Sequence, residues 1–263
     1  MTRPLIYFSY GMTKSGSTLA YELARSGLVL SGYDQPRLSL SAVMNRKKLN
    51  FCAHIDEASA QAIRRETRAI GHTIAFKTHT RPDPIVVNML QEGEATAHAV
   101  YRDPREMALS MLDHGVKSRE NGRPGFAEYH TLEDTLSEIG HQLNSLKSWL
   151  SLPNVRPLYY EDVAFDMAAT TALILGELDL TSDPDAVMKM ATQDRFTQMN
   201  KAKRARHEDE MSSAQSDRFV SIFAGLYDTL ITGRAALPRD GRPCISADID
   251  LCDWSQIPSG DST

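Results

Sequence analysis

Hydrophobic and polar positions along this 263-residue chain switch between a strand-like and a helix-like rhythm, and the switching predicts its elements. Residues 4–10 (PLIYFSY) are a short apolar, β-prone run ending at Gly11, the pattern of a buried strand. Residues 15–25 then take a helical period, with Leu19, Leu23 and Ala24 on one face and Gly27 as the expected stop. Strand, glycine-containing turn and helix make a first βα unit. A second helical pattern covers residues 55–70, closed by Gly71, and leads into a strand at 73–77 (TIAFK). A strand at 96–101 runs into a helix after Asp103-Pro104, where proline suits the first helical turn. Downstream the pattern predicts a helix over 132–150, a strand at 155–160, and helices near 163–178, 185–192 and 213–231. Residues 233–263 are rich in Pro, Gly and Asp and are expected to form an irregular extension or tail.

Strands alternating with helices imply an α/β fold: three layers, a mainly parallel central sheet with helices on both faces. With no repeat or low-complexity linker, residues 1–263 are expected to form one domain. Ligands of such sheets gather at the carboxyl ends of the strands, so those ends are where chemistry is expected.

Composition narrows the field of functions. A net charge of −5 argues against a general nucleic-acid binder, although a few converging cations can still hold an anionic ligand. Cys52, Cys244 and Cys252 have no C-x-x-C spacing, and neither H-E-x-x-H nor an EF-hand loop occurs, so no metal site is expected. No apolar stretch is long enough to span a bilayer and the first strand leaves no room for a signal peptide, so a cytoplasmic protein is expected.

Three strand ends carry candidate chemistry. After the first, residues 10–19 read YGMTKSGSTL. Gly11, Gly16 and Thr18 match part of the nucleotide loop G-x-x-x-x-G-K-[ST], but Ser17 stands where its lysine belongs and Lys14 lies three residues earlier. The amides and hydroxyls of Ser15, Gly16, Ser17 and Thr18 at a helix start can surround a phosphate, with Lys14 adding charge. A plain glycine turn with a solvated lysine would read the same. After TIAFK come Lys77, Thr78 and His79; a histidine there can take a proton from a substrate hydroxyl, or simply bond to backbone. After the third come Arg102, Asp103, Pro104 and Arg105, with Ser110 about two helical turns on. Arg102 and Ser110 could share a phosphate, or the charges could form an ion-pair cluster. Cationic or proton-accepting residues after three strands of one acidic protein favour a ligand with more than one phosphate-like group.

In this order the motifs resemble the sulfotransferase family that uses 3′-phosphoadenosine 5′-phosphosulfate (PAPS). Thr13-Lys14-Ser15-Gly16-Ser17-Thr18-Leu19-Ala20 is similar to P-K-S-G-T-T-W-L, and Lys77-Thr78-His79 to K-T-H. Arg102 to Glu106 with Ser110 is similar to R-N-P-x-D/E-x-x-x-S. Downstream, YYED at 159–162 resembles the family's Y-E-D segment, and Arg195-Phe196-Thr197-Gln198-Met199 resembles S-F-x-x-M. Residues 211–227 resemble a late helix that opens L-S-x-x-Q. Leu19 replaces the tryptophan that often stacks on adenine, and the late R-K-G-x-x-G-D-W-K segment is absent, with Lys201, Lys203, Arg204 and Arg206 in its neighbourhood.

The resemblance implies a P-loop NTPase-like sulfotransferase fold and metal-free transfer of a sulfuryl group from PAPS to a hydroxyl or amine. His79 would be the base, Lys14 would stabilise the leaving phosphate, and Lys77 would touch the sulfuryl oxygens. Arg102 and Ser110 would hold the 3′-phosphate, with Tyr160 and Phe196 near the nucleotide. A small-molecule or carbohydrate-like acceptor is expected, shaped by residues 32–50 and 113–130. The alternatives are a kinase or NTPase with a degenerate loop and a non-catalytic nucleotide-binding protein.

Overall fold

Among the described residues six strands form one sheet in the order Val43–Met44, Phe51–Cys52, Ile74–Thr78, Ile6–Gly11, Ala95–Tyr101 and Val155–Tyr159, so the first strand of the sequence lies inside it. A computed structural model describes residues 4–38, 40, 43–44, 50–193, 203–233, 245–246 and 248–257. In chain order the strands are β1 (Ile6–Gly11), β2 (Val43–Met44), β3 (Phe51–Cys52), β4 (Ile74–Thr78), β5 (Ala95–Tyr101) and β6 (Val155–Tyr159). β3, β4, β1, β5 and β6 run parallel, and β2 joins the edge antiparallel to β3.

β1 is buried along its whole length because helices cover both faces. Ile6, Phe8 and Tyr10 join a core on one side, with Phe76, Met107, Leu143, Trp149 and Phe219. Tyr7 faces the other core, with Leu19, Leu23, Val100, Leu158 and Leu175. These are the three layers that the alternating pattern predicts. The helices are α1 (Ser17–Leu30), α2 (Glu57–Ile70), α3 (Pro84–Gln91), α4 (Pro104–Glu120), α5 (Leu136–Leu150), α6 (Tyr160–Phe165), α7 (Met167–Glu177), α8 (Pro184–Gln193), α9 (Arg206–Glu210), α10 (Ser213–Ile222) and α11 (Ala224–Leu226).

Several local expectations change. α1 does not stop at Gly27 but continues to Leu30. The glycine is there for close packing: a Cβ would lie 2.6 Å from Leu175 Cδ2. The helix expected near 163–178 is two helices broken at Asp166, whose φ of −127° and ψ of 51° leave the helical region. The helix expected at 213–231 is interrupted at Phe223 and ends in a π-helical turn, Tyr227–Ile231. The described part of the C-terminal extension includes a 3₁₀ turn, Trp254–Gln256, and packs down: Ile245 donates its N–H to the Leu150 carbonyl at 3.1 Å, and Leu251 and Cys252 are buried.

Candidate active site

The carboxyl end of β1 delivers the chain into a tight turn ahead of α1. Gly11 is required there, since a Cβ would fall 2.4 Å from that of Ser17. Lys14 takes the left-handed conformation (φ 67°), as does Gly16 (φ 79°). Ser15 is buried and turned inward, its hydroxyl donating to the Met12 carbonyl at 2.6 Å. The amides of Gly16, Ser17 and Thr18 donate to no described residue, and α1 starts without a side-chain cap. That leaves a nest of N–H groups at the positive end of a helix, an arrangement suited to an anion.

Lys14 lies half-buried against α4, its ammonium 3.3 Å from His114 Nδ1 and 5.4 Å from the Phe126 ring centroid. Burial first, and then the neighbouring Lys117 and Arg102, lower its pKa to about 8, with Asp113 acting in the opposite direction.

β4 supplies the second group. The buried Lys77 donates from Nζ to Thr18 Oγ1 at 2.6 Å, tying the strand end to the first turn of α1. His79, half-buried one residue past the strand, has Nδ1 2.7 Å from the Gly11 carbonyl. A carbonyl only accepts, so Nδ1 carries the proton and Nε2 is left with a lone pair. Burial and the Lys77 charge lower the His79 pKa to about 4, opposed by the Gly11 hydrogen bond. The ring is therefore neutral at physiological pH, with Nε2 able to accept a proton.

β5 supplies the third. Arg102 donates from Nη1 to the Lys14 carbonyl at 3.2 Å and from Nη2 to Glu106 Oε2 at 3.2 Å. Its Nε is buried with no hydrogen-bond partner among the described residues. An orphaned guanidinium N–H is costly unless a ligand completes it, and phosphate oxygens match that fork. The Tyr160 ring lies 3.8 Å over the Arg102 guanidinium and against Gly16, where a Cβ would meet it at 2.7 Å. Ser110 is buried two turns along α4. Asp103 and Arg105 form a structural cluster: Asp103 caps α4, pairs with Arg105 at 2.6 Å and accepts from Tyr227 Oη at 2.7 Å.

Of the four downstream cations, Arg206 is committed to Asp113 and Glu210, and Lys203 to Asp209. Arg204 lies 4.5 Å over the Phe165 ring; Lys201 and Phe196 lie outside the described residues. Leu19 faces the core. Among the described residues no group of three or more His, Cys, Asp or Glu converges on a metal position.

Glu106 fills the D/E position of the arginine motif, whereas the other neighbours of the loop have no motif to announce them. Glu106 is a buried carboxylate that joins Arg102 to the N–H and ring of His207, each at 2.9 Å. His114, Phe126 and Tyr129 form a run of ring contacts leading away from Lys14. Gln142 of α5 accepts the Thr13 N–H at 2.5 Å. A Glu138–Gln142 pair at helical i,i+4 spacing was the one local signal available for it.

A glycine turn feeding a helix N-terminus, with an arginine and a histidine at the neighbouring strand ends, makes this edge of the α/β sheet the candidate site. The family described as "Sulfotransferase domain" matches residues 7–223, and the chain belongs to that family. Its fold is similar to that of mouse sulfotransferase SULT7A1 complexed with PAP (15% identity, TM-score 0.57, covering 89% of this chain and 88% of that one). It is also similar to retinol dehydratase in complex with retinol and PAP (15% identity, TM-score 0.51, covering 84% and 80%). No sequence among the curated proteins matches. No helix among the described residues is long and apolar enough to cross a membrane.

Proposed function

We propose that this enzyme transfers a sulfuryl group from PAPS to a hydroxyl or amine of a small-molecule acceptor. The observation that carries this reading is the bond from His79 Nδ1 to the Gly11 carbonyl, which leaves Nε2 as a proton acceptor at the strand end. The PAP-bound relatives support the donor, and the retinol-bound relative supports a small, largely apolar acceptor.

The residues suit such a donor. The amides at 16–18, the Thr18 hydroxyl and Lys14 would surround the 5′-phosphosulfate, and the orphaned Arg102 Nε with Ser110 would take the 3′-phosphate. Tyr160, bridging Gly16 and Arg102, would line the nucleotide between them. PAPS supplies the activated sulfuryl group; the chain supplies position and charge. His79 Nε2 takes the acceptor proton, contributing about 10²–10⁴-fold. Lys14 turns its ammonium from His114 toward charge growing on the leaving phosphate, and Lys77 holds Thr18 and faces the sulfuryl oxygens. A kinase reading would need an acidic strand-end residue for magnesium, and Asp103 is already engaged by Arg105, Tyr227 and the α4 N-terminus.

His79→Ala should lower kcat by about 10²–10⁴-fold while adenosine 3′,5′-bisphosphate still binds by calorimetry. Turnover like wild type would remove His79 as the base. Arg102→Ala should weaken bisphosphate binding roughly ten- to hundredfold. Bisphosphate without magnesium should raise the melting temperature and Mg-ATP should not; the reverse result would favour the kinase reading.

A further inference from the structure

The side chains that fix the loop and the strand-end histidine both come from one face of α5. Gln142 and Trp149 are seven residues apart, two helical turns, and both are buried. Gln142 Oε1 accepts the N–H of Thr13, the residue before Lys14, at 2.5 Å. Trp149 Nε1 donates to the carbonyl of Thr80, the residue after His79, at 2.9 Å. Between these anchors Tyr10 stacks on Trp149 (centroids 5.4 Å apart, planes at 20°) and donates from Oη to the Gln142 carbonyl at 3.2 Å.

Neither anchor can swap roles. An indole N–H only donates, and a carboxylate only accepts. Glu138 therefore takes the Gln142 Nε2 at 2.7 Å, which turns Oε1 toward Thr13. Lys14, held in a left-handed conformation, is thus pinned on both sides: Gln142 holds the preceding amide and Arg102 holds its own carbonyl.

We infer that α5 is a rack setting the separation of Lys14 from His79, with Gln142, oriented by Glu138, and Trp149 as its positioning residues. This rests on the sulfuryl-transfer reading, in which those two groups act on opposite sides of the transferred group. A rigid helix spaces its two anchors by about 10 Å, and displacement of reacting groups by an ångström can cost about a hundredfold in rate.

The test is steady-state kinetics with PAPS and a responsive acceptor on Gln142→Leu, Trp149→Phe and the reciprocal swap Gln142→Glu with Glu138→Gln. Calorimetry with adenosine 3′,5′-bisphosphate and thermal melts accompany each variant. Gln142→Leu should lower kcat about tenfold, keep the acceptor KM within twofold and still melt in one transition. The swap should recover kcat to within about threefold of wild type, because the introduced carboxylate can accept from Thr13 and from the new amide at 138. Combining Gln142→Leu with Trp149→Phe should cost less than the product of the single losses, since both release one geometry. A kcat within twofold of wild type in Gln142→Leu, or a swap no better than Gln142→Leu, would overturn the rack. If Gln142→Leu does not fold, Gln142→Asn, whose amide stops one methylene short of Thr13, is judged by the same criteria. A wild-type chain that moves no sulfuryl group would overturn the functional reading; an active wild type with an equally active Gln142→Leu overturns the rack alone.

Discussion

At the scale of single residues, the site is set by what burial does to two titrating groups. In the proposed reaction His79 must be neutral to accept a proton and Lys14 charged to stabilise the leaving phosphate. With pKa values lowered to about 4 and about 8, both conditions hold together between those limits. The kcat/KM profile of the free enzyme should therefore stay level down to about pH 5, fall as pH drops through about 4, and fall again as it rises through about 8. Lys14→Arg should remove the alkaline limb, and an acid limb near 6.5 would contradict the burial of His79. His98, wholly buried on β5 between Tyr7 Oη and Ser9 Oγ at 2.7 Å each, is lowered further, to about 3, by burial. The unfolded chain takes up that proton near pH 6.5 and the folded chain only near 3. Its contribution is thus complete above 6.5 and is lost at about 1.4 kcal/mol per unit as pH falls. A His98 ring resonance that titrates near 6.5 in the folded protein would refute this. Lys14, His79 and Arg102 were legible in the sequence because each follows a strand and strand ends meet on one edge. Gln142 was not: its partner Thr13 is 129 residues away, and no local period encodes such a contact.

At the scale of elements, the periodicity located each parallel strand except β3 and most of the helices, but it misread their ends. Gly27 looked like a stop because glycine is a weak helix former, and tertiary packing overrode that preference. Replacing it by Ala adds a methyl 2.6 Å from Leu175 Cδ2 in a filled core. Gly27→Ala should cost roughly 1–3 kcal/mol of stability in urea unfolding while kcat per folded molecule stays unchanged. A stabilised Gly27→Ala would show that α7 can yield and that helix propensity decides the position. β2 and β3, two residues each, are too short for any alternation to register, and β3 is placed by β4 rather than by its own pattern. Asp166 and Phe223 break helices whose apolar spacing runs on through the break, which is why the spacing alone joined them.

At the scale of the whole molecule, the last described stretch of chain closes over α5 and α11 and so lies behind the rack. Its composition reads as a loose extension because its contacts are made by backbone and by scattered side chains. Two glycines admit it. A Cβ on Gly225 would lie 1.8 Å from the Asp250 carbonyl oxygen, and one on Gly140 would lie 2.9 Å from the Trp254 ring. Trp254 also rests 4.9 Å from the ring of His141, next to Gln142, and Asp253 donates its N–H to the Ile222 carbonyl at 2.7 Å. Cys252 is sealed beneath, its thiol raised to about 11 by burial and then by Asp253 and Asp250. Gly225→Ala forces backbone against backbone, so the segment must lift rather than a side chain rotate. In a Cys244→Ser background, thiol labelling of native Gly225→Ala should proceed at least tenfold faster than in the parent, with the new label on Cys252. Loosened support for α5 should then appear as a lower kcat with the acceptor KM little changed, the same split expected of Gln142→Leu. Unchanged labelling would mean that the segment tolerates the methyl, and faster labelling with unchanged kcat would mean that α5 keeps its place without it.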